Sequence, residues 1–239
     1  MLREYEPINY STWNFDGQGH NILDNRLLSP DEKKVWEAAL PFQDSREGET
    51  GHGEAVTYFA LKLLEKYSMD MHGNIPNTGV VTRATILHDI GWSQLTESER
   101  KLFYEEAIDP SIEKPVWQRY EPILRARHQE MGVVKAREIL KQVNYNPENT
   151  KQILEIISQH DTRESFRDAN DGLVRDADKL WRYTLAHARM VSETRGWSVD
   201  RQREIMEEAI DKKGFFYSKY AKEIARVEMG NCLEWLGRD

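Results

Sequence analysis

Residues 84–92 read Ala84-Thr85-Ile86-Leu87-His88-Asp89-Ile90-Gly91-Trp92, and this stretch decides the fold. An apolar run carrying Val80, Val81, Ala84, Ile86 and Leu87 recurs at helical spacing and ends on a histidine and an aspartate side by side. An imidazole binds one cation, and a carboxylate can bridge two. Gly91 suits the left-handed residue that closes a helix. Working outward, more ligand types appear at long spacings: His52 before the pair, then His128, His160 and Asp176 after it. Most fall on segments that read as helices or helix ends. That predicts a bundle whose helices point ligands at a common centre.

The flanking segments read the same way. Ser29-Pro30-Asp31-Glu32 combines a serine cap, a first-turn proline and a glutamate three residues after the cap, and opens a helix to about Leu40. A polar loop then leads to His52, where Val56, Phe59, Ala60, Leu63 and Leu64 mark the next helix. Asn77 or Thr78 caps the helix that ends at the His-Asp pair. Thr96-Glu97-Ser98-Glu99 is a second capping box, with a helix expected to about Ala107. Pro110, Pro115 and Pro122 mark 109–121 as mostly loop, so the next helix is expected from Ile123 to Val143. Another opens at Asn146-Pro147-Glu148 and ends at His160. A loop is expected from Asp161 to Gly172, then one helix from Val174 to Thr194 with Asp176 in its first turn. No strand alternation lasts. The prediction is an all-α, single-domain helical bundle. Residues 1–28 form an irregular aromatic arm and 29–239 the bundle, with C-terminal helices over 198–236.

Bulk properties narrow the function. Hydrophobic residues make up 39% and charged residues 31%, which fits a soluble globular chain and not a disordered one. No apolar run approaches the ~20 residues of a membrane span, and the first residues lack the apolar core of a signal peptide. Cys232 is the sole cysteine, which excludes an intrachain disulfide and makes a cytoplasmic location the expectation. The formal net charge of −8 argues against a nucleic-acid polymer as partner. A small anionic substrate remains compatible, because bound cations invert the local potential. No GxxxxGK[ST] loop is present, and Cys232 has no histidine near it in sequence to activate it.

The ordered set His52, His88-Asp89, His128, His160 and Asp176, the last within Arg175-Asp176-Ala177-Asp178-Lys179-Leu180, resembles the HD-domain superfamily of metal-dependent phosphohydrolases. The resemblance covers about residues 45–190. Arg127-His128-Gln129-Glu130-Met131-Gly132 is similar to the family's third-histidine helix, and Ile156-Ile157-Ser158-Gln159-His160 to its fourth. It implies one metal site from His52, His88, Asp89 and Asp176, and a second from His128 and His160 sharing Asp89. Two divalent ions per chain are expected, from Fe, Mn, Zn, Co or Ni. The implied activity is hydrolysis of a phosphate ester of a nucleotide or small metabolite by a metal-activated water, with Asp89 central.

Lys179 lies three residues from Asp176 on the same side of a helix, so it is a candidate catalytic and phosphate-binding residue. Arg125, Arg127 and Arg182 are further candidate phosphate anchors. One departure from the family stands out. Many members place a histidine or glutamate four residues after the first motif histidine, and here that position is Trp92. Glu47, Glu49, Asp161 and Lys179 are candidate replacements as proton donor. Two alternatives share the ligand set: a dinuclear-iron oxygenase acting on a small organophosphonate or polyol, and a catalytically silent metal-binding nucleotide sensor. The phosphonate branch resembles a Tyr and Glu pair before the first histidine, and residues 42–51 offer Glu47 and Glu49 but no tyrosine. His20 and His72 read as arm and loop residues. His187, eleven residues after Asp176 on the same expected helix, reads as core or surface, and Trp181 and Trp197 as packing.

Overall fold

The computed structural model describes residues 5–13, 23, 27–43, 51–69, 75–101 and 116–237. Among them there are helices and no strand. The helices are α1 (Pro30–Ala39), α2 (His52–Met69), α3 (Thr78–Leu87), α4 (Glu97–Lys101), α5 (Val116–Gln142), α6 (Pro147–Ile157), α7 (Ala169–Leu180), α8 (Leu185–Arg195), α9 (Val199–Asp211) and α10 (Lys219–Leu236). Short 3₁₀ turns occupy Leu40–Phe42, Ile90–Gln94 and Trp181–Tyr183. The all-α bundle is therefore as expected. None of these helices is long and apolar enough to cross a membrane.

α3 is the central rod. Every residue from Val80 to Leu87 is buried, Thr82, Arg83 and Thr85 included. It packs against α1, α2, α6 and α7, so its C-terminal end is surrounded by other elements. Asn77 starts it by accepting a hydrogen bond from the Val80 N–H at 3.2 Å. The predicted capping boxes form. Ser29 N–H donates to Glu32 at 2.8 Å, and Thr96 N–H donates to Glu99 at 2.8 Å. Residues beyond Lys101 in the expected helix to Ala107 lie outside the described set.

Four boundaries differ from expectation. α5 begins at Val116 and runs through Pro122, because an internal proline removes one ladder bond without ending a long helix. α6 stops at Ile157, so His160 sits in the following turn. The expected helix over 174–194 is two helices, and α7 starts earlier, where Asp168 accepts from the Asp171 N–H at 2.9 Å. The chain then turns at Trp181–Tyr183, and Thr184 caps α8 by accepting from the His187 N–H at 3.3 Å. Gly91 does not close a helix with left-handed backbone. It lies in a 3₁₀ turn where a Cβ would collide with the His128 carbonyl oxygen and the Gly132 backbone. Its missing side chain lets this turn press against α5.

Residues 5–13 have no regular secondary structure but are firmly held. Ile8, Tyr10 and Trp13 are buried in the main core. Buried Glu228 on α10 accepts from the Tyr5 hydroxyl, from Ile8 N–H at 2.8 Å and from the Tyr10 hydroxyl at 3.2 Å.

Candidate metal centre

The ends of α2, α3, α6 and α7 and the middle of α5 bring two groups of possible ligand atoms together. His52, His88 and Asp178 form one; Asp89, His128 and His160 form the other. His52 opens α2 and His88 follows the last residue of α3. His128 lies within α5, His160 just past α6 and Asp178 in the last turn of α7.

In the first group His52 Nε2 lies 3.1 Å from His88 Nε2, and Asp178 Oδ1 lies 3.5 and 3.6 Å from the two nitrogens. Asp89 Oδ2 stands 3.2 Å from His52 Nε2 and 3.7 Å from His88 Nε2. In the second, Asp89 Oδ1 is 3.3 Å from His128 Nε2 and 3.2 Å from His160 Nε2, and these nitrogens are 3.4 Å apart. One carboxylate thus gives an oxygen to each group. Asp161 adds its Oδ2 to the second at 3.6 and 3.9 Å from the histidine nitrogens.

This donor set fits divalent ions on two grounds. An ion about 2.0–2.1 Å from N and O ligands holds neighbouring ligand atoms about 3.0–3.4 Å apart, from octahedral to tetrahedral. The separations above lie at or slightly beyond that spacing. The second ground is the tautomers. His88 Nδ1 faces the Thr85 carbonyl at 2.7 Å, His160 Nδ1 the Ile157 carbonyl at 2.8 Å and His128 Nδ1 the Leu124 carbonyl at 3.3 Å. A carbonyl only accepts, so each Nδ1 carries hydrogen, and with Nε2 unprotonated each ring would aim a lone pair inward. Two such lone pairs would meet between His128 and His160. They repel unless a proton or a cation lies between them.

The electrostatics agree. Burial pulls the His88 pKa down, but Asp89 and Asp178 more than offset it and lift it to about 9. His160 is also raised: burial opposes, and Asp89 and Asp161 prevail. Burial would raise Asp89, yet the four surrounding imidazoles hold it well below the usual carboxylate range. Asp178 is lowered likewise, by His88 and His52 against burial. The carboxylates thus favour positive charge on these imidazoles.

Asp178 stands where the sequence reading places Asp176. Asp176 turns away and accepts backbone N–H groups of Tyr217 at 2.7 Å and Ser218 at 2.8 Å, which fixes the start of α10. Burial raises its pKa to about 7 against those two bonds and Lys179. Periodicity could not choose between the two. They flank opposite edges of the stripe Leu173, Val174, Ala177 and Leu180, about 200° apart around the helix. Asp161 at the second group had a visible signal: His160-Asp161 repeats the dipeptide His88-Asp89.

A cavity of ≈ 390 Å³ opens on the centre, touching His52, Asp89, His160, Asp161 and Asp178. Arg125 and Arg182 line it. Arg125 pairs with Glu121 at 2.7 Å and with Asp161 Oδ1 at 2.7 Å, so it orients Asp161. Arg182 lines the cavity, with its guanidinium carbon 5.8 Å from the Phe215 ring centre. Two predicted anchors are elsewhere. Arg127 pairs with Glu99 at 2.7 Å, and neither lines the cavity. Lys179 donates to the Phe215 carbonyl oxygen and sits 4.8 Å from the Phe166 ring centre, off the cavity lining. Burial lowers its pKa to about 8, with Asp176 opposing. Trp92 stacks on His128, ring centres 4.3 Å apart and planes 13° apart, and so braces that imidazole. His187 lies on α8 and lines the cavity beside Trp181, because the helix break turns it inward. Glu47, Glu49, His20 and His72 lie outside the described residues.

No family model, curated protein or solved structure matches the chain.

Proposed function

We propose that the protein is a metal-dependent phosphohydrolase of the HD-domain kind, cleaving a phosphate ester of a nucleotide or small metabolite. The observation that carries this reading is Asp89, whose two oxygens face two separate histidine groups. Two divalent ions bound there would supply Lewis acidity for a phosphoryl group and a water of lowered pKa. The chain's own residues do the rest. Asp89 joins the two groups, and His52, His88 and Asp178 complete the first. His128 and His160 complete the second, with Asp161 held beside them by Arg125. Arg182 on the cavity wall offers a guanidinium to the phosphate. Trp181 stands edge-on to His52 at 5.3 Å between ring centres and holds that ring in place.

The test supplies Mn²⁺ under nitrogen and measures inorganic phosphate from a panel of phosphomonoesters and nucleotides, with Asp89→Ala as blank. Phosphate release by wild type alone is expected, because hydrolysis needs no dioxygen. Iron-dependent oxygen uptake without phosphate release across the panel would overturn the reading in favour of an oxygenase.

A further inference from the structure

The cavity on the metal groups falls in the range of about 300–1,000 Å³ that encloses whole organic ligands, so it has room beyond a phosphate. The remaining lining comes largely from α8 and α9. Met190, Val191, Ile205, Met206 and Ala209 give it an apolar strip beside the polar His187 and Arg195 of α8. Met190, Ile205 and Ala209 are only half-buried, so their apolar atoms are not used up in the core. Two buried polar atoms belong to the same lining. Gln202 Oε1 and Trp181 Nε1 have no hydrogen-bond partner among the described residues, although each residue is only 3% exposed. The Gln202 amide is fixed, since its Nε2 donates to Ser192 Oγ at 2.8 Å and to the Trp197 carbonyl at 3.3 Å, and a carbonyl only accepts. Its oxygen is therefore a stranded acceptor, and the Trp181 indole N–H a stranded donor. Buried groups of this kind are costly unless something satisfies them.

We infer that this wall reads the organic part of the substrate: a phosphate monoester whose body is chiefly apolar and carries a hydroxyl group. The hydroxyl donates to Gln202 Oε1, an oxygen of the ligand accepts from the Trp181 indole, and the chain lies on Met190, Ile205 and Ala209. The assignment of the phosphate end rests on the phosphohydrolase reading above; the wall itself does not.

Binding of non-hydrolysable phosphonates separates the two. Mn²⁺-loaded protein is titrated calorimetrically with methylphosphonate, hexylphosphonate and 4-, 5- and 6-hydroxyalkylphosphonates. Each buried methylene is worth about fourfold in affinity, so hexylphosphonate should bind at least about tenfold tighter than methylphosphonate. At least one hydroxyalkyl compound should exceed the plain chain of equal length. Gln202→Met should abolish that hydroxyl gain and keep the chain gain. Ile205→Ala should shrink the affinity gain of hexyl- over methylphosphonate. Equal affinity for methyl- and hexylphosphonate, or a hydroxyl gain untouched by Gln202→Met, would overturn the inference. Phosphate release from hexyl phosphate is followed in parallel. Chain-dependent binding without release would sink the hydrolase reading and keep the wall. Release without chain dependence would do the reverse.

Discussion

Asp176 and Asp178 lie two residues apart on α7 and make unrelated contacts, one with the start of α10 and one with His52 and His88 of the candidate metal centre. Asp178→Ala should lower the metal content by about one ion per chain and leave the helical circular dichroism unchanged. Asp176→Ala should keep its metal. It orphans two backbone N–H groups at roughly 1–3 kcal/mol each, so thermal unfolding should show the loss. If Asp176→Ala lost metal and Asp178→Ala kept it, the ligand assignment would be reversed. His52, His88 and His160 stood out because each opens or follows an apolar helical segment, whereas His128 lies in the middle of α5. The aspartates did not stand out, because helical spacing places both at the edge of one buried stripe. Lys179 misled for the same reason: proximity to Asp176 in sequence carries it toward Phe215 and away from the cavity.

At the scale of elements, the centre depends on how closely the turn at Ile90–Gln94 meets α5. Gly91→Ala places a methyl on the His128 carbonyl, so α5 must shift. Overpacking costs about 1–3 kcal/mol. Loss of the ion shared by His128 and His160 should accompany the fall in melting temperature. A variant with unchanged metal content would show the contact to be soft. Glu228 ties residues 5–13 to α10, and burial raises its pKa even though Tyr5, Ile8, Asn231 and Tyr10 oppose. A carboxyl raised in the fold contributes stability that is fully present below its unfolded value, about 4.5. That contribution is lost as pH rises through the folded value. Proteolytic cleavage within 5–13 should therefore speed up as pH rises from 4.5, and the pH dependence should vanish in Glu228→Gln. A rate flat with pH in wild type would contradict this. Capping boxes and prolines made most helix starts legible. The break at Trp181–Tyr183 was hidden, because nothing in its sequence stops a helix and only the Thr184 cap restarts one.

At the scale of the molecule, four buried imidazoles and their carboxylates converge on one point of a small bundle. Ions that bind only the folded state stabilise it by about 4 kcal/mol each when present at a thousand times their dissociation constant. For a chain of this size that is about 8–16 °C in melting temperature per ion. Chelation should lower the melting temperature by this order, and Mn²⁺ should restore it. A chelator with no effect on unfolding would mean that the centre holds little metal. The all-α architecture followed from periodicity and caps along the whole chain, whereas the cavity wall of α8 and α9 depends on a tertiary turn that no local pattern announces. The most direct measurement is the metal-to-chain ratio of wild type and Asp89→Ala after incubation with excess Mn²⁺ or Fe²⁺ and removal of unbound metal. Two ligand groups sharing one carboxylate predict about two ions per wild-type chain and loss of most metal in Asp89→Ala. A wild-type ratio of one or less, or an Asp89→Ala variant that keeps the wild-type ratio, would contradict the dinuclear centre.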